Sequence, residues 1–205
     1  MKIIEHNFTE FVNESSSNTG LISVEEFKTI LNEYIDQQVE NGNITNGNDY
    51  INEVWKKFLT FWEEAEKAGT IYNQSSNLDT KKLNNSSNNR ACYYNSLATV
   101  NDNPELDIQL AVGMEIDLKR FNEKLEKLKK STLFWLPDNF TLVHSHAFNI
   151  LDDKVLDITH GKEPKNIIYL AHIIPESIWR KFKYIKDDKN ADGEDVMDYL
   201  YDLLN

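Results

Sequence analysis

Apolar residues recur at three- and four-residue steps from Val24 onward. Val24, Phe27, Ile30, Leu31, Tyr34, Ile35 and Val39 share one face, while Glu25, Asn32, Glu33 and Asp36 point away from it. This period predicts an amphipathic helix. Ser23-Val24-Glu25-Glu26 has the form of a capping box, in which the serine hydroxyl accepts from a first-turn N–H, and the stretch from Gly42 to Gly47 should end the helix. A second apolar face follows Asn48-Asp49, carrying Ile51, Val54, Trp55, Phe58, Leu59 and Trp62, with Gly69 as its C-terminal stop. The two helices are expected to pair as an N-terminal helical extension over residues 1–72.

From Asn73 to Asn89 the chain is Asn, Ser, Asp and Lys with almost no apolar anchor, which predicts a polar linker over 73–89. Beyond it the period changes. A short buried helix is expected over Cys92–Val100, a strand over Ile108–Ile116, and a helix carrying Leu118, Phe121, Leu125 and Leu128. Phe140–Leu151, Lys154–Ile158 and Asn166–Ile174 are rich in β-branched and aromatic residues and read as antiparallel strands, the first two joined by a tight turn at Asp152-Asp153. Helices at Pro175–Phe182 and Asp195–Leu204 close the chain. The expected fold class is therefore α+β, with a core over 90–205. No internal repeat is visible.

Composition narrows the function classes. The 205 residues hold 22 Lys+Arg against 34 Asp+Glu, a net charge of −12, which argues against binding phosphate backbones through a surplus of cations. The one basic run, Lys124 to Lys130, is interleaved with Glu and Leu and reads as the solvated face of a helix. No apolar run approaches the roughly 18 residues of a spanning helix, and Met1 to Phe11 lacks a signal-peptide core. A cytoplasmic protein is expected, with neither nucleic acid nor membrane as partner. The single cysteine, Cys92, excludes an internal disulfide and a Cys-rich zinc site. Its open roles are inert packing, a regulatory thiol or a catalytic nucleophile.

Thiol catalysis needs a base to make the thiolate and a third group to hold that base. Cys92 stands at a predicted helix start, where unpaired N–H groups and the positive dipole end lower a thiol pKa. His146 lies in the predicted strand Val143-His144-Ser145-His146-Ala147-Phe148-Asn149, and Asp157 in Val155-Leu156-Asp157-Ile158-Thr159 on the next. With the turn at Asp152-Asp153, the two should be close cross-strand neighbours.

These residues resemble a known group. The Cys-Tyr-Tyr-Asn-Ser helix start, the His-Ala-aromatic-Asn strand and the Val-Leu-Asp-Ile-Thr strand, in that order, look like the papain-like and transglutaminase-like cysteine enzyme superfamily, in particular its small bacterial and phage members. There, Cys-x-x-Asn precedes His-Ala-Trp-Asn and Val-x-Asp-Pro-Thr. Tyr169-Leu170-Ala171-His172-Ile173-Ile174-Pro175 is similar to a stretch that often follows. The likeness spans roughly residues 90–180 and leaves the N-terminal helices unaccounted for.

The resemblance implies Cys92 as nucleophile, His146 as general base and Asp157 as the group that orients it, acting on a peptide, isopeptide or other amide of a peptide or protein substrate. No cofactor and no metal are implied. Asn95 matches the family's Asn in the Cys helix, with a structural or oxyanion-side role. Phe148 stands for the usual Trp, Ile158 for the usual Pro, and Asp153 for a common Gly. No Gln precedes Cys92 at the papain-type oxyanion position, which leaves the Cys92 amide, Asn89 or Asn95 as donors. His144, as a cleft-wall or core histidine, Trp135 and Phe148 are the further candidate binding residues. His144 and His146, on one strand face, would with His160 or His172 offer a metal site, but His-x-His alone is a weak signal. The competing function class is a catalytically degenerate member of the same fold that binds or inhibits a partner; binding that survives Cys92→Ala but fails on loss of residues 1–69 would single it out.

Overall fold

The computed structural model describes residues 19–50, 55–73, 91–130, 143–159, 166–184 and 194–204. Helix α1 (Val24–Glu40) starts where the capping pattern places it: Ser23 is extended, and its Oγ accepts the Glu26 N–H at 3.2 Å. A second first-turn donor, the Val24 N–H, goes to Glu66 Oε1 at 2.9 Å. Glu66 sits on α3 (Lys56–Ala68), which follows the single turn α2 (Gly47–Tyr50); Ile51 and Val54 lie outside the described residues. Gly69 ends α3 in the left-handed conformation at φ 67°, and Thr70 N–H then caps the Ala65 carbonyl. After it come β1 (Ile71–Asn73), α4 (Cys92–Asp102), β2 (Gln109–Asp117) and α5 (Leu118–Lys129). The chain ends with β3 (Val143–Leu151), β4 (Lys154–Leu156), β5 (Ile167–Ile173), α6 (Glu176–Trp179) and α7 (Glu194–Leu204).

The architecture is mixed helix and antiparallel sheet, and the chain divides into two units. The first comprises residues 1–71 and 116–143. Its described core is aromatic: Phe27 of α1 meets Trp62 of α3 at 5.4 Å and Phe121 of α5 at 5.5 Å between ring centroids, all three fully buried. Helix α5 thus belongs with the N-terminal helices, whereas its place in the chain had grouped it with the core over 90–205. Position along the sequence is a poor guide to which core an amphipathic helix covers. The polar linker over 74–89 lies outside the described residues.

The second unit comprises residues 72–115 and 144–205 and carries nearly all of a five-stranded sheet, in the order β1-β5-β2-β3-β4. One face packs Ala111, Phe148, Ile150, Val155, Ile167, Tyr169 and Ala171 together. Between β2 and β5 the backbones approach so closely that a Cβ on Gly113 would fall 1.9 Å from the Leu170 carbonyl oxygen, which only glycine allows.

The β3–β4 hairpin turns through Asp152 and Asp153, both at positive φ (52° and 56°), the paired left-handed geometry of a two-residue hairpin that Asp tolerates. The ladder pairs Asn149 with Leu156, Ile150 with Val155 and Leu151 with Lys154. Strand β4 therefore ends before Asp157, earlier than the sequence pattern had it, and continuing the register would set position 157 across from Phe148. His146 and Asp157 are diagonal neighbours, two residues from facing each other, a separation that long polar side chains span.

Candidate active site

The site lies in the second unit and is assembled from four elements. Cys92 is the first residue of α4 and half-buried. The preceding Ala91 makes no side-chain hydrogen bond that would cap the helix. The Tyr93 N–H donates to the Cys92 sulfur, as does the Ala147 N–H of β3, on a stretch of β3 that the short β4 no longer pairs. Burial pushes the thiol up; the hydrogen bond and charge of His146, with those two N–H groups, outweigh it and hold the thiol below its ordinary 9.0.

His146 is buried on β3, its Nε2 2.6 Å from Asp157 Oδ2. The ring also makes a hydrogen bond with Cys92, and since Nε2 faces the carboxylate, Nδ1 is the atom left for the sulfur. Burial alone would lower the ring's affinity for a proton, but the bond to Asp157 and the contact with Cys92 prevail and push it up to about 10. A depressed thiol beside a raised imidazole is the signature of a thiolate–imidazolium pair.

The Asp157 side chain, 1% exposed, accepts three hydrogen bonds. Oδ2 takes the His146 Nε2 and the Tyr169 hydroxyl, the latter at 3.0 Å, and Oδ1 takes the Thr159 N–H at 2.9 Å. The Thr159 bond is an Asx turn, so the backbone just past β4 fixes the carboxylate locally. Asn95, fully buried on α4, donates through Nδ2 to Thr159 Oγ1 at 3.2 Å and ties the Cys helix to that turn. One of its two amide N–H groups thereby serves structure; Asn89 lies outside the described residues. Asn149, fully buried, donates to the Ser96 carbonyl of α4 at 3.0 Å and holds the same helix to β3.

The other expected site residues divide. Phe148 is core, 1% exposed, stacked at 20° over the His146 ring and 4.7 Å from Tyr169; it lines no open cleft. His144 is exposed on β3, and Trp135 falls outside the described residues. His172 bonds the Tyr199 hydroxyl at 3.2 Å, and His144, His146 and His172 do not form a ligand set; His160 lies outside the described residues.

Among the described residues, the one cluster of His and acidic groups close enough to hold a cation is Glu115, His146 and Asp157, whose polar atoms lie within 4.8 Å of one another. Two ligands on one tetrahedral zinc sit about 3.3 Å apart, given bonds of roughly 2.0–2.1 Å. The 2.6 Å between Nε2 and Oδ2 is a hydrogen bond, and the cluster as it stands is an acid–base network.

Sequence reasoning assigned no role to Glu115, Tyr169, Thr159 or Asn149. Glu115 carried a signal, a lone charge in the apolar strand Leu110-Ala111-Val112-Gly113-Met114-Glu115-Ile116, since such a residue is rarely buried without a partner. Tyr169 carried only its place at the head of the family-like stretch, because a Tyr among Ile and Leu otherwise reads as core until its hydroxyl is seen to reach Asp157.

Compared with known proteins, the chain matches no family model, no curated protein and no solved structure. No helix among the described residues is long and apolar enough to cross a membrane.

Proposed function

We propose that the chain is a cysteine hydrolase or acyltransferase with the chemistry of the papain-like and transglutaminase-like enzymes, acting on a peptide, isopeptide or other amide carbonyl. One observation carries the reading: a half-buried thiol at a helix N-terminus touches a buried imidazole whose other nitrogen is held by a buried carboxylate. The Cys92 thiolate attacks the carbonyl carbon, and the oxygen's developing charge meets the first-turn N–H groups of α4. His146, already protonated, delivers its proton to the leaving amine, and the C–N bond breaks to leave a thioester on Cys92. The now neutral His146 takes a proton from water or an acceptor amine, which attacks the thioester and restores the thiolate. Asp157 holds the ring in the tautomer and orientation that both steps need.

The thioester is the diagnostic species. Intact-mass analysis after incubation with activated acyl donors, such as peptide thioesters and nitrophenyl esters, should show a single adduct that maps to Cys92, slowed in Asp157→Asn and absent in Cys92→Ala. Acyl transfer or hydrolysis that continues unchanged in Cys92→Ala would sink the proposal.

A further inference from the structure

The mechanism above leaves one buried acid unused. Glu115 of β2 is 8% exposed, and a carboxylate oxygen of it lies within 4.8 Å of both a His146 ring nitrogen and an Asp157 oxygen. Tyr169, fully buried on β5, donates its hydroxyl to Asp157 and feels the charge of both acids, which with burial keep the phenol neutral far above its ordinary range. The strand order sets this up: β2 lies between β5, which carries Tyr169, and β3, which carries His146. The groups facing the imidazole are thus Cys92 from α4, Asp157 from the turn after β4, Tyr169 from β5 and Glu115 from β2.

Two carboxylates buried this close repel each other; if neither takes a proton, positive charge must lie within reach of both. The protonated His146 ring meets that condition. The geometry points to Glu115 as a positioning residue, a second carboxylate that shares the His146 imidazolium with Asp157 and turns the Cys–His–Asp arrangement into a four-residue charge network. The inference rests on the Cys–His–Asp reading and adds to it a control on the base. With two anions behind it, the ring keeps its proton, and the site stays charged as thiolate and imidazolium, to higher pH than one carboxylate would sustain.

The test is a direct titration of the ring. The full chain is labelled with ¹⁵N-histidine, the His146 signals are assigned by their loss in His146→Gln, and the midpoint is compared in wild type, Glu115→Gln and Glu115→Asp. A unit charge about 5 Å away at an effective dielectric of roughly 20–40 moves a midpoint by about one pH unit or more. Glu115→Gln should therefore lower the His146 midpoint by about that amount with its circular dichroism unchanged, and Glu115→Asp should lower it less. A Glu115 that merely fills space would leave the midpoint unmoved in its Gln isostere; agreement with wild type to within about 0.3 pH units overturns the inference. If Glu115→Gln does not fold, Glu115→Met, likewise uncharged, is titrated in its place and decides by the same criterion. A wild-type ring that titrates near the ordinary 6.5 refutes the Cys–His–Asp reading itself, and the inference with it.

Discussion

Removing the thiol should change how stability depends on pH, and the sign follows from proton counting. In Cys92→Ala the His146 ring, held by Asp157, keeps its proton in the folded chain while the unfolded chain loses it near 6.5. The unfolded state then binds fewer protons, so stability falls as pH rises from 6.5 through the raised folded value. The wild type adds an opposing group. Its folded thiol is ionised below the ordinary 9.0, so between the depressed value and 9.0 the unfolded state carries one more proton, on sulfur. Over that window the two linkages cancel: the folded chain holds one proton on His146, the unfolded chain one on Cys92. Wild-type stability should be level there above 6.5 as far as this pair is concerned, and fall from 9.0 toward about 10 as His146 lets go. The difference between wild type and Cys92→Ala, in which background titrations cancel, should rise by about 1.4 kcal/mol per pH unit, or about 2.7 kcal/mol from pH 7 to 9 if the thiol is ionised throughout. Urea unfolding followed by circular dichroism at pH 7, 8 and 9, at constant m-value, gives the difference directly. Parallel wild-type and Cys92→Ala curves over this range would falsify the thiolate–imidazolium pair.

Three further outcomes are expected. His146→Gln should slow iodoacetamide alkylation of Cys92 at pH 7 by up to about a hundredfold, since a thiol returned to its ordinary 9.0 is only about 1% ionised there; a rate within twofold of wild type would mean the ring does not activate the sulfur. Tyr169→Phe keeps the ring packed 4.7 Å from Phe148 but deletes the donor to Asp157, and should cost about 1.5–3 kcal/mol in urea unfolding, a loss below about 0.5 kcal/mol showing that the hydroxyl contributes nothing. Asn149→Leu removes the tie between β3 and the Ser96 carbonyl, so alkylation of Cys92 should slow toward the His146→Gln rate; if it does not, α4 is held in place by other contacts.

Much of the architecture was legible in the chain because it is written in local rules. The face from Val24 to Val39, Ser23 as cap and Gly69 as stop are decided within a turn or two of backbone, and α1 and α3 follow them. The Asp152-Asp153 turn is equally local, since two Asp residues accept the left-handed geometry that a two-residue hairpin demands. Cys92, His146 and Asp157 could be singled out because helix start, strand and hairpin together nearly determine their approach.

Tertiary structure decided the rest. The register of β3 against β4 makes His146 and Asp157 diagonal neighbours, and register depends on how a whole face packs. The alliance of α5 with Phe27 depends on which core its apolar face covers, which the heptad-like spacing of Phe121, Leu125 and Leu128 leaves open. Asn95 was open to a structural or an oxyanion-side role, and its structural bond appears only in the fold, because a buried amide's contacts are set by the partner brought to it, here Thr159 from 64 residues away. Tyr169 and Glu115 join the site only because β5, β2 and β3 lie side by side. Local pattern singled out Cys92, His146 and Asp157 and the elements that carry them. Which groups surround the imidazole, and so how tightly it holds its proton, was decided by strand order and register, because electrostatic coupling in a buried site is governed by distances of a few ångströms between residues far apart in the chain.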